Sequence, residues 1–389
     1  MIVHCLAIET SCDETSISIV KGEYGPHEAS PPALKRVQVL AHVVHSQNST
    51  HAPFGGVVPE MAARDHLSLI YPLAQKALQE ARLDAAELDL IAVTQGPGLL
   101  GALMVGVLFA QGLSVSLGIP LMGINHVEAH LTPALLLNSF DPMQDLGKWL
   151  DITPRPFPLL GLTVSGGHCL LSHLPAPHQP SRFLGYSLDD ACGEAFDKVG
   201  KLLGLPFPGG PQVELLAQGW QKRQLFEPQG PLPPPWTGDI TQKQGAFMFS
   251  YSGLKTKVLE EVRALTQNFQ GKVTGNSLSD FHKQRICYAF QKAALEQLIH
   301  RCSQARQHLW PHSQMAIAVA GGVAVNQSFR DRMAKAFETI YWAPKSLCTD
   351  NATMIALHAL RTHPNPTNMR LTKLPPIQLF TKYEVSTEN

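Results

Sequence analysis

From Thr94 to Asn125 the chain contains no Asp, Glu, Lys or Arg. A stretch of that kind must be hidden from water, either in a membrane or in a protein core. It exceeds the roughly 18 apolar residues that mark a transmembrane helix. However, Gly96-Pro97-Gly98 and the Gly118 and Pro120 pair cut it into a strand end, a helix and a next strand, and no Lys or Arg flanks it closely. The reading is a buried helix over Leu100–Leu117 in a globular α/β chain, with no membrane partner.

At 389 residues the chain is too long for one ordinary domain, and two are expected. Lys+Arg and Asp+Glu are equal at 31 each. That balance leaves nucleic-acid binding open, because such binding depends on local basic faces. Seven cysteines without a C-x-x-C pair suit thiols kept reduced in a cytoplasmic protein. Met1 to Val20 carries Glu9, Asp13 and Glu14 and lacks a basic flank before an apolar core, so no secretory signal is expected.

Leu6 to Val20 reads as a hairpin whose polar bend, Thr10 to Glu14, puts the candidate cleft carboxylates Asp13 and Glu14 at its tip. Val37 to Val44 is strand-like. A helix follows Gly55-Gly56, with Leu67, Ile70, Ala74 and Leu78 as its apolar face, and Leu90 to Thr94 is a strand. The second half repeats the plan. Leu159–Val164 and Cys169–Leu174 are strands around Ser165-Gly166-Gly167, and Asp190 to Leu203 is a helix that ends before the loop Pro206 to Pro211. A helix over Phe281–Arg306, a strand over Met315–Ala320, the turn Gly321-Gly322 and a helix over Val325–Phe337 follow, and Asp350–Arg361 is a last helix. The preserved order suggests duplication. The expected division is a first lobe over 1–139, a linker over 140–158, a second lobe over 159–347 with a Pro-rich insertion near 222–245, and a terminal helix and tail over 348–389 that return to the first lobe.

Several residues could carry chemistry. If Asn125 caps a helix, His126 and His130 lie four residues apart on one face and can share a metal ion, while Glu128 projects elsewhere. This is not the H-E-x-x-H arrangement of zinc proteases. In a chain with 17 His, an ordinary core pair would look the same. Asp350, before the last helix, is an N-cap by default but could reach a metal held by the two histidines. A His, His, Asp set suits Zn²⁺ or Fe²⁺ and leaves positions open for substrate oxygens. Ser165-Gly166-Gly167 and Gly321-Gly322 offer backbone N–H groups to an anion, and two such turns imply one ligand cleft between two lobes. Asp197 could accept from ribose hydroxyls, and Asn326 could either cap its helix or bind a purine or ribose edge.

Taken together in chain order, Ile8-Glu9-Thr10-Ser11-Cys12-Asp13-Glu14-Thr15, Gly55-Gly56-Val57-Val58-Pro59-Glu60, Gly96-Pro97-Gly98, His126-Val127-Glu128-Ala129-His130, Val164-Ser165-Gly166-Gly167-His168 and Cys348-Thr349-Asp350-Asn351 closely resemble the bacterial-type tRNA threonylcarbamoyladenosine transferases, a family once called O-sialoglycoprotein endopeptidases. The match runs from Leu6 to about Arg361. The resemblance implies an actin-like, sugar-kinase-like α/β fold of two duplicated lobes around a nucleotide cleft. It implies transfer of a threonylcarbamoyl group from its adenylate, threonylcarbamoyl-AMP, to N6 of adenosine 37 in tRNAs that read codons beginning with A, without a protein nucleophile.

By the same resemblance, His126, His130 and Asp350 bind one Fe²⁺ or Zn²⁺. Thr163, Val164, Ser165, Gly166 and Gly167 form the substrate loop, and Asp197, Gly210 and Asn326 hold the nucleotide. Glu214 stands where many relatives carry Asp, which keeps the charge and lengthens the arm. Ala129 replaces a common Gly and favours helix. The implied partners are tRNA, an inactive paralogue forming a heterodimer, a small P-loop ATPase and an upstream threonylcarbamoyl-AMP synthase. Lys198, Lys201, Lys255, Lys257, Lys283, Arg285, Arg330 and Arg332 are candidate phosphate contacts. A sugar kinase or ATPase, a metalloprotease and a non-enzymatic scaffold are the competing classes.

Overall fold

The computed structural model describes residues 1–25, 33–177, 179–226, 247–266, 275–312, 314–362 and 379. In chain order the elements are β1 (Ile2–Glu9), β2 (Glu14–Tyr24), β3 (Leu34–Ser46), α1 (Asn48–His51), α2 (Pro59–Ala81), β4 (Leu90–Gly96), α3 (Leu100–Leu117), β5 (Leu121–Asn125), α4 (His126–Leu136), α5 (Pro142–Asp145) and β6 (Trp149–Asp151). They continue with β7 (Leu159–Val164), β8 (Cys169–Leu174), β9 (Arg182–Tyr186), α6 (Cys192–Leu202), α7 (Gly209–Phe226), α8 (Ser252–Thr266), α9 (Asp280–Leu309), β10 (Ile317–Ala320), α10 (Gln327–Ala336), β11 (Ile340–Trp342) and α11 (Ala352–Thr362). One compact unit comprises Met1–His51, Val57–Pro156 and the described residues from Trp342 on. The other comprises Ala52–Gly56 and Phe157–Tyr341.

The first unit carries a six-stranded sheet in the order β5-β4-β1-β2-β3-β6, and the second a five-stranded sheet in the order β11-β10-β7-β8-β9. Without β6 the two orders are the same. In each sheet the second strand runs antiparallel to the first, the third antiparallel to the second and the fourth parallel to the first. This is the duplicated, actin-like and sugar-kinase-like α/β architecture.

Side chains alternate along a strand, so neighbouring residues of β1 enter different cores. Cys5 and Ala7 pack with Ile355, Leu357 and Leu360 of α11. Leu6 and Ile8 pack with Ile70 and Ala74 of α2 and with Val107 and Ala110 of α3. With both faces covered, the strand reads as a continuous apolar run. Each such large side chain, fully buried, contributes about 1.5–3 kcal/mol.

The structure corrects several sequence readings. By length and composition α3 could cross a membrane, and it is not a buried helix as expected. Ala102, Leu103, Gly106, Val107, Ala110 and Ser114 are buried, while Leu100, Met104, Leu108 and Val115 are exposed. An apolar residue at every position hides which side faces the core. Gly106 marks that side, since a Cβ there would lie 2.3 Å from Thr10 Oγ1. On α2 the inward line is Ala62, His66, Ile70, Ala74 and Ala77, whereas Leu67 is 69% exposed. The buried imidazole is satisfied by Thr15 Oγ1 at 2.7 Å and the Cys12 carbonyl at 3.0 Å, which lets a polar residue take the place given to a leucine.

Residues 140–158 contribute α5 and β6, and β6 pairs antiparallel with β3. β9 and α8 were not anticipated. Gly209 and Gly210, read as loop, open α7. Pro211 is tolerated there because amides of a first turn have no intrahelical partner. The core of the Pro-rich insertion lies outside the described residues, as does nearly all of the tail after Thr362.

Candidate metal centre and nucleotide loops

Asn125 ends β5 and caps α4. Its Oδ1 accepts from the amides of Val127 at 3.0 Å and Glu128 at 3.2 Å, two of the donors that a helix start leaves unpaired. His126 and His130 therefore lie one turn apart on α4, with side chains 2% and 0% exposed. Thr132 Oγ1 meets His358 Nδ1 at 2.9 Å, which ties α4 to α11. The start of α11 is docked on the β2–β3 hairpin. The Ala352 amide donates to Ser16 Oγ at 2.9 Å, and Thr353 Oγ1 lies 2.8 Å from Ser18 Oγ and 2.7 Å from His42 Nδ1.

Asp350 is not the cap of α11. Asn351 Oδ1 accepts from the Met354 amide at 3.0 Å and takes that role, which leaves the Asp350 carboxylate for another use. Asp350 Oδ1 lies 3.5 Å from His126 Nε2 and 3.2 Å from His130 Nε2, and the two ring nitrogens are 3.2 Å apart. A point about 2 Å from all three donors exists within such a triangle, and about 2 Å is the usual Zn–N and Zn–O bond length. The residues thus fit one divalent ion. Asp350 is 18% exposed and is the least buried of the three.

Electrostatics favour positive charge at the same spot. Burial opposes the charged form of His126, but Glu9 and Asp350 outweigh it and raise its pKa well above the usual value. Burial lowers that of His130, and the charge of His126 adds to the effect. Burial likewise opposes the charged forms of Asp350 and Glu9, yet both are lowered, chiefly by His126. Glu14 is raised well above the carboxylate range by burial and by Asp13 and Asp350. Both carboxylates of the hairpin tip therefore lie in the same electrostatic neighbourhood. Two residues here escaped sequence reasoning. Glu9 Oε2 lies 3.0 Å from His126 Nδ1, and Ser11 Oγ lies 3.3 Å from the same nitrogen. Glu9 stands where the apolar run of β1 gives way to a polar bend, so only the pairing of β1 with its neighbours reveals where its side chain goes.

The expected nucleotide residues all belong to the second unit. Thr163 and Val164 end β7 and are buried. Ser165 to His168 is a tight turn, with the Ser165 amide donating to the His168 carbonyl at 2.7 Å and the His168 amide donating to Ser165 Oγ at 3.1 Å. Gly166 and Gly167 are exposed, and a Cβ on either would meet nothing within 4 Å. The crowded glycine is Gly193 of α6, where a Cβ would lie 2.7 Å from the Ser165 carbonyl oxygen and 2.8 Å from Gly166 Cα. Gly321, at φ +96°, packs as closely on Val164.

Asp197 Oδ1 accepts from the amides of Gly209 at 2.7 Å and Gly210 at 3.2 Å. Glu214 Oε1 accepts from the Gln327 amide at 2.8 Å. Asn326 caps α10 through the Phe329 amide at 2.9 Å and donates to Gln291 Oε1 at 2.9 Å. These side chains therefore sit at helix N-termini, where amides can also receive anions. A cavity of about 940 Å³ beside Gln218, Lys222, His300, Asp331 and Arg332 includes none of the expected nucleotide residues.

Most candidate RNA-binding cations are engaged. Lys198 lies 2.7 Å from Asp190 and 2.8 Å from Glu194, and Lys255 pairs with the same Asp190. Lys257 pairs with Glu260 at 2.9 Å, Arg285 with Glu261 and Arg332 with Glu296 at 3.0 Å. Lys201 donates to the Phe54 carbonyl at 3.1 Å and Arg330 to the Ala324 carbonyl at 2.7 Å.

Comparison with known proteins gives one direction. The family model described as tRNA N6-adenosine threonylcarbamoyltransferase matches residues 38–357. A relative of that name from Bartonella henselae is 40% identical over 367 residues, covering 90% of this chain and 88% of the relative. Another of that name, from Chromobacterium violaceum, is 39% identical over 356 residues and covers 90% of each. Among solved structures, full-length HypF in its phosphate- and nucleotide-bound form aligns at a TM-score of 0.51 and 11% identity, covering 95% of this chain and 56% of that one, a likeness of fold alone.

Proposed function

The chain belongs to the tRNA N6-adenosine threonylcarbamoyltransferase family, and from that premise we propose how its own residues carry out the transfer. The donor is threonylcarbamoyl-AMP and the acceptor is N6 of adenosine 37, in tRNAs that read codons beginning with A. The N6 amine attacks the carbamoyl carbon, a new C–N bond forms, the bond to the adenylate oxygen breaks, AMP leaves and the amine loses a proton. No protein nucleophile is required.

His126 Nε2, His130 Nε2 and Asp350 Oδ1 hold one Fe²⁺ or Zn²⁺. The triangle these atoms form is the observation that carries the reading. When bound, such an ion supplies Lewis acidity and a fixed anchor for donor oxygens. The raised pKa of His126, set by Glu9 and Asp350 against burial, supports a cation at that place. The amides of Gly166 and Gly167 face phosphate or developing negative charge, while that of Ser165 closes the turn on the His168 carbonyl. Asp197, Gly210, Glu214 and Asn326 position the nucleotide.

Because most candidate cations are already paired with carboxylates, stable tRNA binding depends on partners. The partner with most to cover is an inactive paralogue forming a heterodimer. Leu100, Met104, Leu108 and Val115 of α3 and Leu67 and Tyr71 of α2 are exposed on two helices that pack on one another, and apolar surface of this kind marks an interaction face. A small P-loop ATPase and an upstream threonylcarbamoyl-AMP synthase complete the set.

Reconstitution tests the reading: tRNA, L-threonine, bicarbonate, ATP and the synthase are supplied, with and without the partners. Formation of the modified nucleoside, abolished by a chelator and restored by metal, is the expected result. ATP hydrolysis without tRNA or adenylate would instead favour a kinase-like or ATPase reading.

A further inference from the structure

We propose that Glu9 is a positioning residue of this centre: its buried carboxylate holds the proton on Nδ1 of His126 and so aims the Nε2 lone pair of that ring at the position between His130 and Asp350. The inference rests on the metal reading above and adds a residue to it.

Glu9 is the last residue of β1 and is 0% exposed. Its Oε1 accepts from the Ser11 amide at 2.5 Å, and its Oε2 accepts from the Thr94 hydroxyl of β4. Both oxygens are therefore fixed by the strand ends, and the carboxylate has little freedom to turn. Oε2 lies 3.0 Å from His126 Nδ1, closer than Ser11 Oγ at 3.3 Å. A neutral imidazole carries one proton, and the nitrogen opposite the donor is left as the ligand. A carboxylate facing Nδ1 thus selects the tautomer with Nε2 free, and it increases the basicity of that nitrogen. The neighbouring ring differs: His130 Nδ1 is buried with no hydrogen-bond partner. His130 is oriented by packing and by edge contact with His126, at a ring separation of 4.7 Å. Of the two imidazoles only His126 has a carboxylate behind it.

A merely structural role would be to tie Ser11 and Thr94 together. Glu9→Gln separates the two roles. The Gln carbonyl can still accept from Ser11, but its amide nitrogen then faces His126 Nδ1 as a donor. The ring is driven to the tautomer protonated on Nε2, where the ion should bind. Zinc affinity, measured by competition with a chromophoric chelator, should fall about 10–100-fold in Glu9→Gln. The far-UV circular dichroism of the chelator-treated protein should match wild type, while its melting temperature falls, because the variant also breaks the buried Glu9–His126 pair and removes the acceptor of the Thr94 hydroxyl. Wild-type affinity in Glu9→Gln, with affinity lost in His126→Ala, overturns the role of Glu9 and leaves the metal reading intact. Wild-type affinity in His126→Ala overturns both. Should Glu9→Gln not fold, nitrogen NMR of the zinc-loaded wild type decides: a proton on Nδ1 and zinc on Nε2 of His126 is expected, and the reverse overturns the proposal.

Discussion

Gly193 illustrates how a single missing methyl group can set a site. Its α-carbon backs onto the Ser165–Gly166 turn, and the atoms that a Cβ would strike are backbone, which cannot swing aside as a long side chain can. Gly193→Ala should cost about 1–3 kcal/mol in urea unfolding, the range for overpacking. Gly166→Ala, with open space around it, should stay within about 0.5 kcal/mol. Equal stability in the two variants would refute this account. The glycines that a sequence motif draws attention to are thus not the ones under steric demand. The motif was legible because Ser-Gly-Gly stands between two apolar runs. Gly193 was not, since a close approach between α6 and the β7–β8 turn leaves no local mark. For the same reason Glu9 stayed hidden while Asn125, whose cap is satisfied two and three residues along the chain, was read correctly.

At the scale of the element, α11 does two jobs that the sequence ran together. Asp350 and Asn351 are both good caps by type, and only the structure shows that Asn351 is the cap while Asp350 turns to the histidines. Asn351→Ala should destabilise the protein by about 1 kcal/mol. By loosening the first turn it should also weaken zinc binding several-fold, read in the same chelator competition as above. Unchanged stability and zinc affinity in that variant would remove the cap from the account.

A different lesson comes from α3. An all-apolar helix gives no periodic signal, so the sequence established a helix without showing which side was covered. Leu108→Lys, at a residue 60% exposed, should leave the unfolding free energy within about 0.5 kcal/mol. It should also weaken association with the proposed paralogue partner in a sedimentation or pull-down assay with the purified protein. Unimpaired association would place the interface elsewhere.

Across the whole molecule, buried histidines link stability to pH. Burial lowers the pKa of His42 to about 4 and that of His358 to about 3, with Arg361 adding to the latter. Both are below the unfolded value of about 6.5. The unfolded chain then binds more protons than the folded one, and stability present above about pH 6.5 is lost as the pH falls toward these values. His66 acts in the same sense, whereas raised groups such as His126 and Glu14 act in the opposite one. The contribution of one site is best isolated by difference. Between pH 7 and pH 5, His358→Gln should lose on the order of 2 kcal/mol less stability than wild type. Parallel curves would exclude His358 as a contributor. The duplicated plan was legible because each half repeats strand, turn and strand in order. The second unit's α7 and α8 were missed, since Gly-Gly-Pro and a charge-rich helix resemble loops when tertiary packing is unknown.

The first unit is interrupted. Its histidines come from α4, its aspartate precedes α11, and all of the second unit except Ala52–Gly56 is encoded between them. On a ribosome, the second unit therefore leaves the exit tunnel before the helix that supplies one covering face of the first sheet. Until then Cys5, Ala7, Val37 and Leu90 lack the partners Ile355, Leu357 and Leu360. A nascent chain halted before Leu347 would display an apolar sheet face and two histidines without their third donor, a client for chaperones. Emergence of α11 is thus also the step at which Asp350 joins His126 and His130.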